Sequence, residues 1–170
     1  KSKRNNKPFI ILNGALLEAN KYELELFGEE KKDGSISYGA LEKANEGTLL
    51  IDQVSEIPLA IQSKILRVLT DQKFKRLNGN NDINVDVRLI CSSSKDLKEE
   101  IIIGNFREDL YHRLNVFEIN IKPLNERISD IPLLINYFSK KIFENYNIKK
   151  LEIDENDSYI LNHNWKGNVR

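Results

Sequence analysis

Apolar positions along the chain fall into short runs separated by longer periodic stretches. Phe9-Ile10-Ile11-Leu12, between Pro8 and Asn13, is a continuous apolar run of strand length. Leu49-Leu50-Ile51 makes a second such run, within Gly47 to Asp52, and it ends on an acid. Ile83, Val85, Val87 and Leu89 alternate with Asn84, Asp86 and Arg88, which predicts a third strand that begins with one solvated face. Phe117, Ile119 and Ile121 alternate in a predicted fourth. Between the runs the spacing is helical. Pro58 suits the first turn of a helix whose Ile61, Ile65, Val68 and Leu69 share a face. Asp96 to Leu114 reads as helical, with Phe106, Leu110 and Leu114 spaced by four and Gly104 as a break. Ser129 is a candidate N-cap, followed by Pro132 and an apolar stripe of Ile131, Leu134, Ile135, Phe138 and Ile142.

This strand–helix alternation predicts an α/β fold, a mostly parallel sheet flanked by helices. After Pro123 only helical spacing remains, so the expected division is 1–124 for the α/β part and 125–170 for the start of a small all-helical subdomain. The chain has no internal repeats or low-complexity tracts.

Composition narrows the function without naming it. The 170 residues are 40% hydrophobic and 31% charged, with 26 basic and 26 acidic side chains, so no net field points to nucleic acid or a membrane. The basic start, Lys1 to Lys7, reads as a solvated surface segment. Cys91 is the only cysteine, in the apolar run Leu89-Ile90-Cys91, which suits a core residue and a cytoplasmic home rather than a nucleophile. His112 and His163 lie far apart and give no metal spacing. Neither a membrane span nor a signal peptide is legible.

Asp52 is the first candidate for chemistry. Ligands of open α/β sheets bind beyond the carboxyl ends of the strands, so an acid there can hold a metal-bound water and through it a phosphate. The alternative is an Asp that caps the next turn. Its neighbours change the balance. Glu25-Leu26-Phe27-Gly28, Glu46-Gly47-Thr48-Leu49-Leu50-Ile51-Asp52, Gln62-Ser63-Lys64-Ile65-Leu66-Arg67-Val68-Leu69, Val85-Asp86-Val87-Arg88, the run from Phe106 to Asn115, and Trp165-Lys166-Gly167-Asn168-Val169-Arg170 appear in order and with matching gaps. Together they resemble the central AAA+ domain of sigma-54-activator response regulators, the NtrC family, over essentially the whole chain.

That resemblance implies a P-loop NTPase core followed by a helical lid, and it assigns roles. Asp52 matches the Walker B acid that orders a magnesium water. Asn13 matches the asparagine that pairs with the Walker B glutamate as a switch. Arg107 and Arg113 match two fingers that reach a neighbouring subunit's nucleotide, where guanidinium forks suit a γ-phosphate. Surface pairing with Glu108 or Asp109 is the other reading. Six residues apart, the two would diverge by roughly 120° on an ideal helix, so both can aim at one nucleotide only if the helix ends or bends between them. Arg170 matches the sensor-II arginine of the lid, or is an exposed terminal residue.

Four departures from the family accompany the matches. The phosphate loop, G-x-x-x-x-G-K-S/T, does not occur in the chain and is expected upstream of Lys1. Gln53 stands in place of the catalytic glutamate, and a neutral amide cannot accept a proton from water. Ser94 stands in place of the sensor-I asparagine. Residues 29–38 replace a longer loop with a Gly-Ala-Phe-Thr-Gly-Ala motif that touches the sigma-54 factor, and they read as a plain surface turn. Loss of that loop marks the NtrX-type branch. The leading expectation is therefore an ATP-binding and self-assembly module that hydrolyses ATP weakly or not at all. ATP or ADP with magnesium belongs to the intact protein and not to this chain alone. DNA would be met by a helix-turn-helix domain and a sensor kinase by a receiver domain, both outside the chain, and no sigma-54 contact or membrane is expected. The alternatives are a working ATPase that activates sigma-54 polymerase, and a structural module without nucleotide.

Overall fold

In a computed structural model the described residues are 2–18, 20–146, 154 and 157–170. They form two compact units, Lys1–Phe117 and Glu118–Arg170. The first unit runs β1 (Phe9–Asn13), α1 (Tyr22–Phe27), β2 (Gly28–Glu30), β3 (Ile36–Tyr38), α2 (Ala40–Lys43), β4 (Thr48–Asp52), α3 (Leu59–Asp71), β5 (Lys73–Phe74), β6 (Ile83–Asn84), β7 (Arg88–Cys91), α4 (Leu97–Ile102) and α5 (Glu108–Leu114). The second contains α6 (Ile131–Tyr146) and α7 (Ser158–Leu161).

The sheet is parallel, in the order β1-β4-β7. Its register explains its two faces. Ile10, Leu49 and Leu89 lie side by side, as do Leu12, Ile51 and Cys91. These rows face a core that includes Leu26, Leu41, Ile61, Ile65 and Val68 from the helices. The intervening row of Ile11, Leu50 and Ile90 lies on the opposite face, where Phe9 and Ile11 are 57% and 61% exposed. Asn13 and Asp52 are neighbours at the carboxyl end of that same face.

The alternation from Ile83 to Leu89 is two strands and not one. β6 pairs antiparallel with β5, and β7 pairs parallel with β4. Between them Val85 is buried and donates its N–H to Gln72 O at 2.9 Å, and Asp86 N–H goes to Asn45 Oδ1. Side-chain alternation thus persists while the backbone changes partner. Phe117, Ile119 and Ile121 are not in a strand among the described residues, and Ile119 and Ile121 are 74% and 76% exposed. Period-two spacing assigns faces, but a strand also needs a hydrogen-bonding neighbour.

The helices follow their punctuation. Pro58 precedes α3 with extended ψ, one residue outside the expected first turn, and Ile61, Gln62, Ile65 and Val68 are buried. The stretch from Asp96 to Leu114 breaks at Gly104, which has φ +79°, and Asp96 caps α4 by accepting from Lys98 N–H at 2.8 Å. Ser129 does not cap α6. It lies inside a 3-10 turn, Ile128–Asp130, that runs directly into the helix. Of the α6 stripe only Ile131 is buried, while Phe138 and Ile142 are exposed.

Residues 29–38 are more than a surface turn. Gly28–Glu30 and Ile36–Tyr38 make an antiparallel hairpin. Leu77 bridges it from outside, donating to Gly28 O and accepting from Glu30 N–H, both at 2.9 Å. Arg76, nearly buried, donates to Glu30 Oε1 at 2.9 Å and to both carboxylate oxygens of Glu42, and its guanidinium lies 5.5 Å from the centre of the Tyr38 ring. The basic start is fastened too: Arg4 donates to Gly47 O and Asp86 O, each at 3.0 Å, and Lys7 pairs with Glu46.

In the second unit, Leu124 N–H donates to Asn168 Oδ1 at 2.8 Å and Trp165 Nε1–H to Ile160 O at 3.1 Å.

Candidate functional site

The site is built where β4 and β7 end. Asp52 is the last residue of β4, and Gln53 follows with φ 59° and ψ 57°, a left-handed conformation that turns the chain sharply. Two bonds of Ser92, just past β7, hold this corner from the neighbouring strand: its N–H donates to Ile51 O at 3.0 Å, and its carbonyl accepts from Val54 N–H at 2.8 Å. Its hydroxyl donates to Asp52 Oδ1 and accepts from Gln53 N–H at 3.1 Å. One side chain thereby fixes the acid and the strained residue after it.

Gln53 and Ser94 are brought together. The Gln53 side-chain oxygen accepts from Ser94 N–H at 3.1 Å and from Ser94 Oγ at 2.8 Å. Asn13 sits beside Asp52 in register, and its side-chain oxygen accepts from Ala15 N–H at 3.0 Å, capping the 3-10 turn Gly14–Leu16. The Asn13 side-chain oxygen is thus engaged by its own turn rather than by Gln53. Gly14 packs against the same corner so closely that a Cβ would stand 2.5 Å from Gln53 O. The Tyr22 hydroxyl donates to Gly14 O, which fixes the turn from below, and burial raises the pKa of that hydroxyl above its usual value.

The two arginines do not share one helix. Arg107 is the cap residue before α5, with extended backbone, and Arg113 lies in the last turn of α5. The helix begins between them, so the divergence of an ideal helix does not apply. Arg107 grips Asp109 with two bonds, 3.0 and 2.6 Å, and this hydrogen bonding raises the arginine pKa and lowers that of the carboxyl. Arg113 donates to Leu69 O at 2.9 Å. Arg170 is exposed in the second unit.

Gln62, which the sequence does not mark as a candidate, is 0% exposed, and both its N–H donors and its oxygen are engaged. Its amide nitrogen donates to Ile57 O at 2.8 Å and Asn105 O at 3.0 Å, and its oxygen accepts from Arg107 N–H at 2.9 Å. It ties the segment after Gln53 to the backbone of Arg107. A polar residue beside Ile61 on the buried face of α3 was the available signal. For Ser92 the signal was the run Ser92-Ser93-Ser94 at a strand's carboxyl end.

Other sequence features fall outside this site. Cys91 lies in the core row of the sheet, and burial pushes its thiol up to about 12. Among the described residues no three His, Cys, Asp or Glu side chains gather to hold a metal, and no helix is long and apolar enough to cross a membrane. A cation here would take a single protein carboxylate, Asp52, and fill its shell with water and ligand oxygens. Magnesium adopts that pattern with phosphates, so the donor set fits it.

Comparison with known proteins bears on the family and the fold. Residues 1–120 match the sigma-54 interaction domain family, and residues 125–170 match an AAA+ ATPase lid domain. The nitrogen assimilation regulatory protein NtrX of Azorhizobium caulinodans is 42% identical over 99% of the chain, which spans 38% of that relative. The regulatory protein AtoC of Escherichia coli is 40% identical, with 99% of the chain matched to 38% of its length. A crystal structure of NtrX from Brucella abortus in complex with ATP superposes with a TM-score of 0.87 at 40% identity, covering 98% of this chain and 39% of that one. The same protein in complex with ADP gives 0.88 at 41%, covering 98% and 37%. A parallel sheet with an acid at the end of its middle strand, matched along its length by that family's model, means that the chain belongs to the sigma-54 interaction domain family and continues into an AAA+ lid.

Proposed function

We propose that the chain is the nucleotide-binding and self-assembly module of an NtrX-like transcriptional regulator, which retains ATP and hydrolyses it slowly. The observation that carries this reading is the corner Asp52-Gln53. The acid is held by Ser92 with its second oxygen uncommitted among the described residues, and the next side chain is an amide whose oxygen is taken by Ser94. Asp52 would order the shell of a magnesium ion, which neutralises phosphate charge when bound. No carboxylate stands at position 53 to deprotonate the attacking water.

Around that corner the remaining roles follow. Asn13 would receive residue 53 in a second orientation. Arg107 and Arg113 would reach a neighbouring subunit's nucleotide, since an exposed pair with Asp109 is easily exchanged for a phosphate. Arg170 would contact phosphate within its own subunit. The NtrX structures with ATP and with ADP support nucleotide binding by this relative. The hairpin of β2 and β3, short and clamped by Arg76, supports an output through assembly on DNA rather than through a mobile loop on the sigma-54 factor. DNA and the sensor kinase would be engaged by other domains of the regulator.

The test is titration of Mg-ATP into the full-length protein by calorimetry, with phosphate release followed in parallel. Micromolar binding with hydrolysis roughly 10²–10⁴-fold below that of its Gln53→Glu variant is the widest expected gap. Absence of binding overturns the reading, and equal rates overturn the part given to Gln53.

A further inference from the structure

We infer that Gln53 donates a hydrogen bond to the terminal phosphate of a nucleoside triphosphate, and that Ser94 is the positioning residue that orients it. This rests on the proposed nucleotide site and deepens it, giving position 53 a function other than that of a missing base. Three hydrogen-bonding groups of Gln53 are already committed. Its N–H donates to Ser92 Oγ, its carbonyl accepts from Glu56 N–H at 3.0 Å, and its side-chain oxygen accepts twice from Ser94.

The orientation of the amide follows from donor chemistry alone. A backbone N–H can only donate, so the atom that faces Ser94 N–H is the oxygen, and a flipped amide would set donor against donor. The NH2 group is therefore turned to the other side, and it has no hydrogen-bond partner among the described residues. The left-handed backbone at Gln53 and the close packing of Gly14 against its carbonyl hold the residue in place. Two uncommitted N–H donors next to an acid that orders magnesium suit an anionic oxygen better than a water that must lose a proton. A glutamate held by the same two Ser94 donors would present its second oxygen there, an acceptor that repels phosphate. Triphosphate and diphosphate should then be told apart by Gln53.

The experiment uses the full-length protein with magnesium, titrated by calorimetry with ADP and with a non-hydrolysable ATP analogue. The unaltered protein should favour the triphosphate. Gln53→Met, of the same length but without donors, should lose about tenfold or more of triphosphate affinity, the scale of a hydrogen bond to a charged group, with ADP affinity unchanged. Gln53→Glu should lose at least as much. Ser94→Ala should lose part of the preference, and Ser94→Thr, which keeps the hydroxyl, should restore it. A Gln53→Met protein with the parent's ratio of the two affinities overturns the inference, as do equal ratios for Ser94→Ala and Ser94→Thr. An unaltered protein that binds neither nucleotide overturns the proposed site itself, and the inference with it.

Discussion

Gly14 and Cys91 both lie at the carboxyl end of the parallel sheet. A methyl group at Gly14 would meet the Gln53 carbonyl at 2.5 Å and the Asp52 carbonyl at 3.0 Å, both backbone atoms that cannot move aside cheaply. Gly14→Ala should cost roughly 1–3 kcal/mol by overpacking, read as a lower urea midpoint, and should weaken nucleotide binding by shifting Asp52. An unchanged midpoint would mean that the turn has room to relax. Burial pushes the Cys91 thiol from an ordinary value of about 9 up to about 12 in the folded chain. A raised folded pKa means that the unfolded state ionises first. Stability is thus intact below about pH 9 and falls above it by up to about 1.4 kcal/mol per pH unit until the folded thiol ionises as well. Alkylation by iodoacetamide at pH 8 should be slow in the native protein and fast in denaturant. Rapid native labelling would contradict a buried, protonated thiol.

At the level of elements, legibility tracked how local the determinants are. The β1 and β4 runs, the α3 face and the Gly104 break were readable because each rests on residues within one element. The hairpin of β2 and β3 was not, because Glu29 to Ser35 are polar apart from Gly34 and its fastening comes from Leu77 and Arg76, far along the chain. The split of the Ile83–Leu89 alternation was hidden for a like reason, since it depends on the bond from Val85 to Gln72. Asp52, Gln53 and Ser94 were legible as positions, but the bond between Gln53 and Ser94 exists only once β4 and β7 are adjacent. The hairpin yields its own prediction. Arg76→Met would leave Glu30 and Glu42 charged and half-buried without their partner, which should cost roughly 2–4 kcal/mol, near the lower end for a broken buried pair. Hydrogen exchange should rise at Glu30 and Leu77 before the central sheet. Uniform protection would mean that Leu77 alone holds the hairpin.

On the proposed reading, Arg107 and Arg113 couple nucleotide to neighbouring subunits, and Gln62 holds the backbone of Arg107. Arg113→Ala in the full-length protein should leave ATP binding nearly intact while reducing nucleotide-dependent assembly, followed by multi-angle light scattering. An unchanged oligomer would return both arginines to a surface role. Asp109→Asn removes the charge that holds Arg107 in the free chain, so assembly should be equal or stronger. Weaker assembly would mean that Asp109 itself touches the partner. Gln62→Met, which keeps the volume of the side chain but removes its bonds to Ile57, Asn105 and Arg107, should lower stability and assembly together.

The left-handed turn at Gln53 bears on how such a protein can change over generations. Glu and Gln codons differ only in their first base, and the two side chains have the same length and fit the same backbone. On the proposed reading of Gln53, one mutational step in either direction would therefore carry a lineage between a hydrolysing and a retaining form of this corner. Bulky β-branched residues lie outside that path, because the turn itself excludes them.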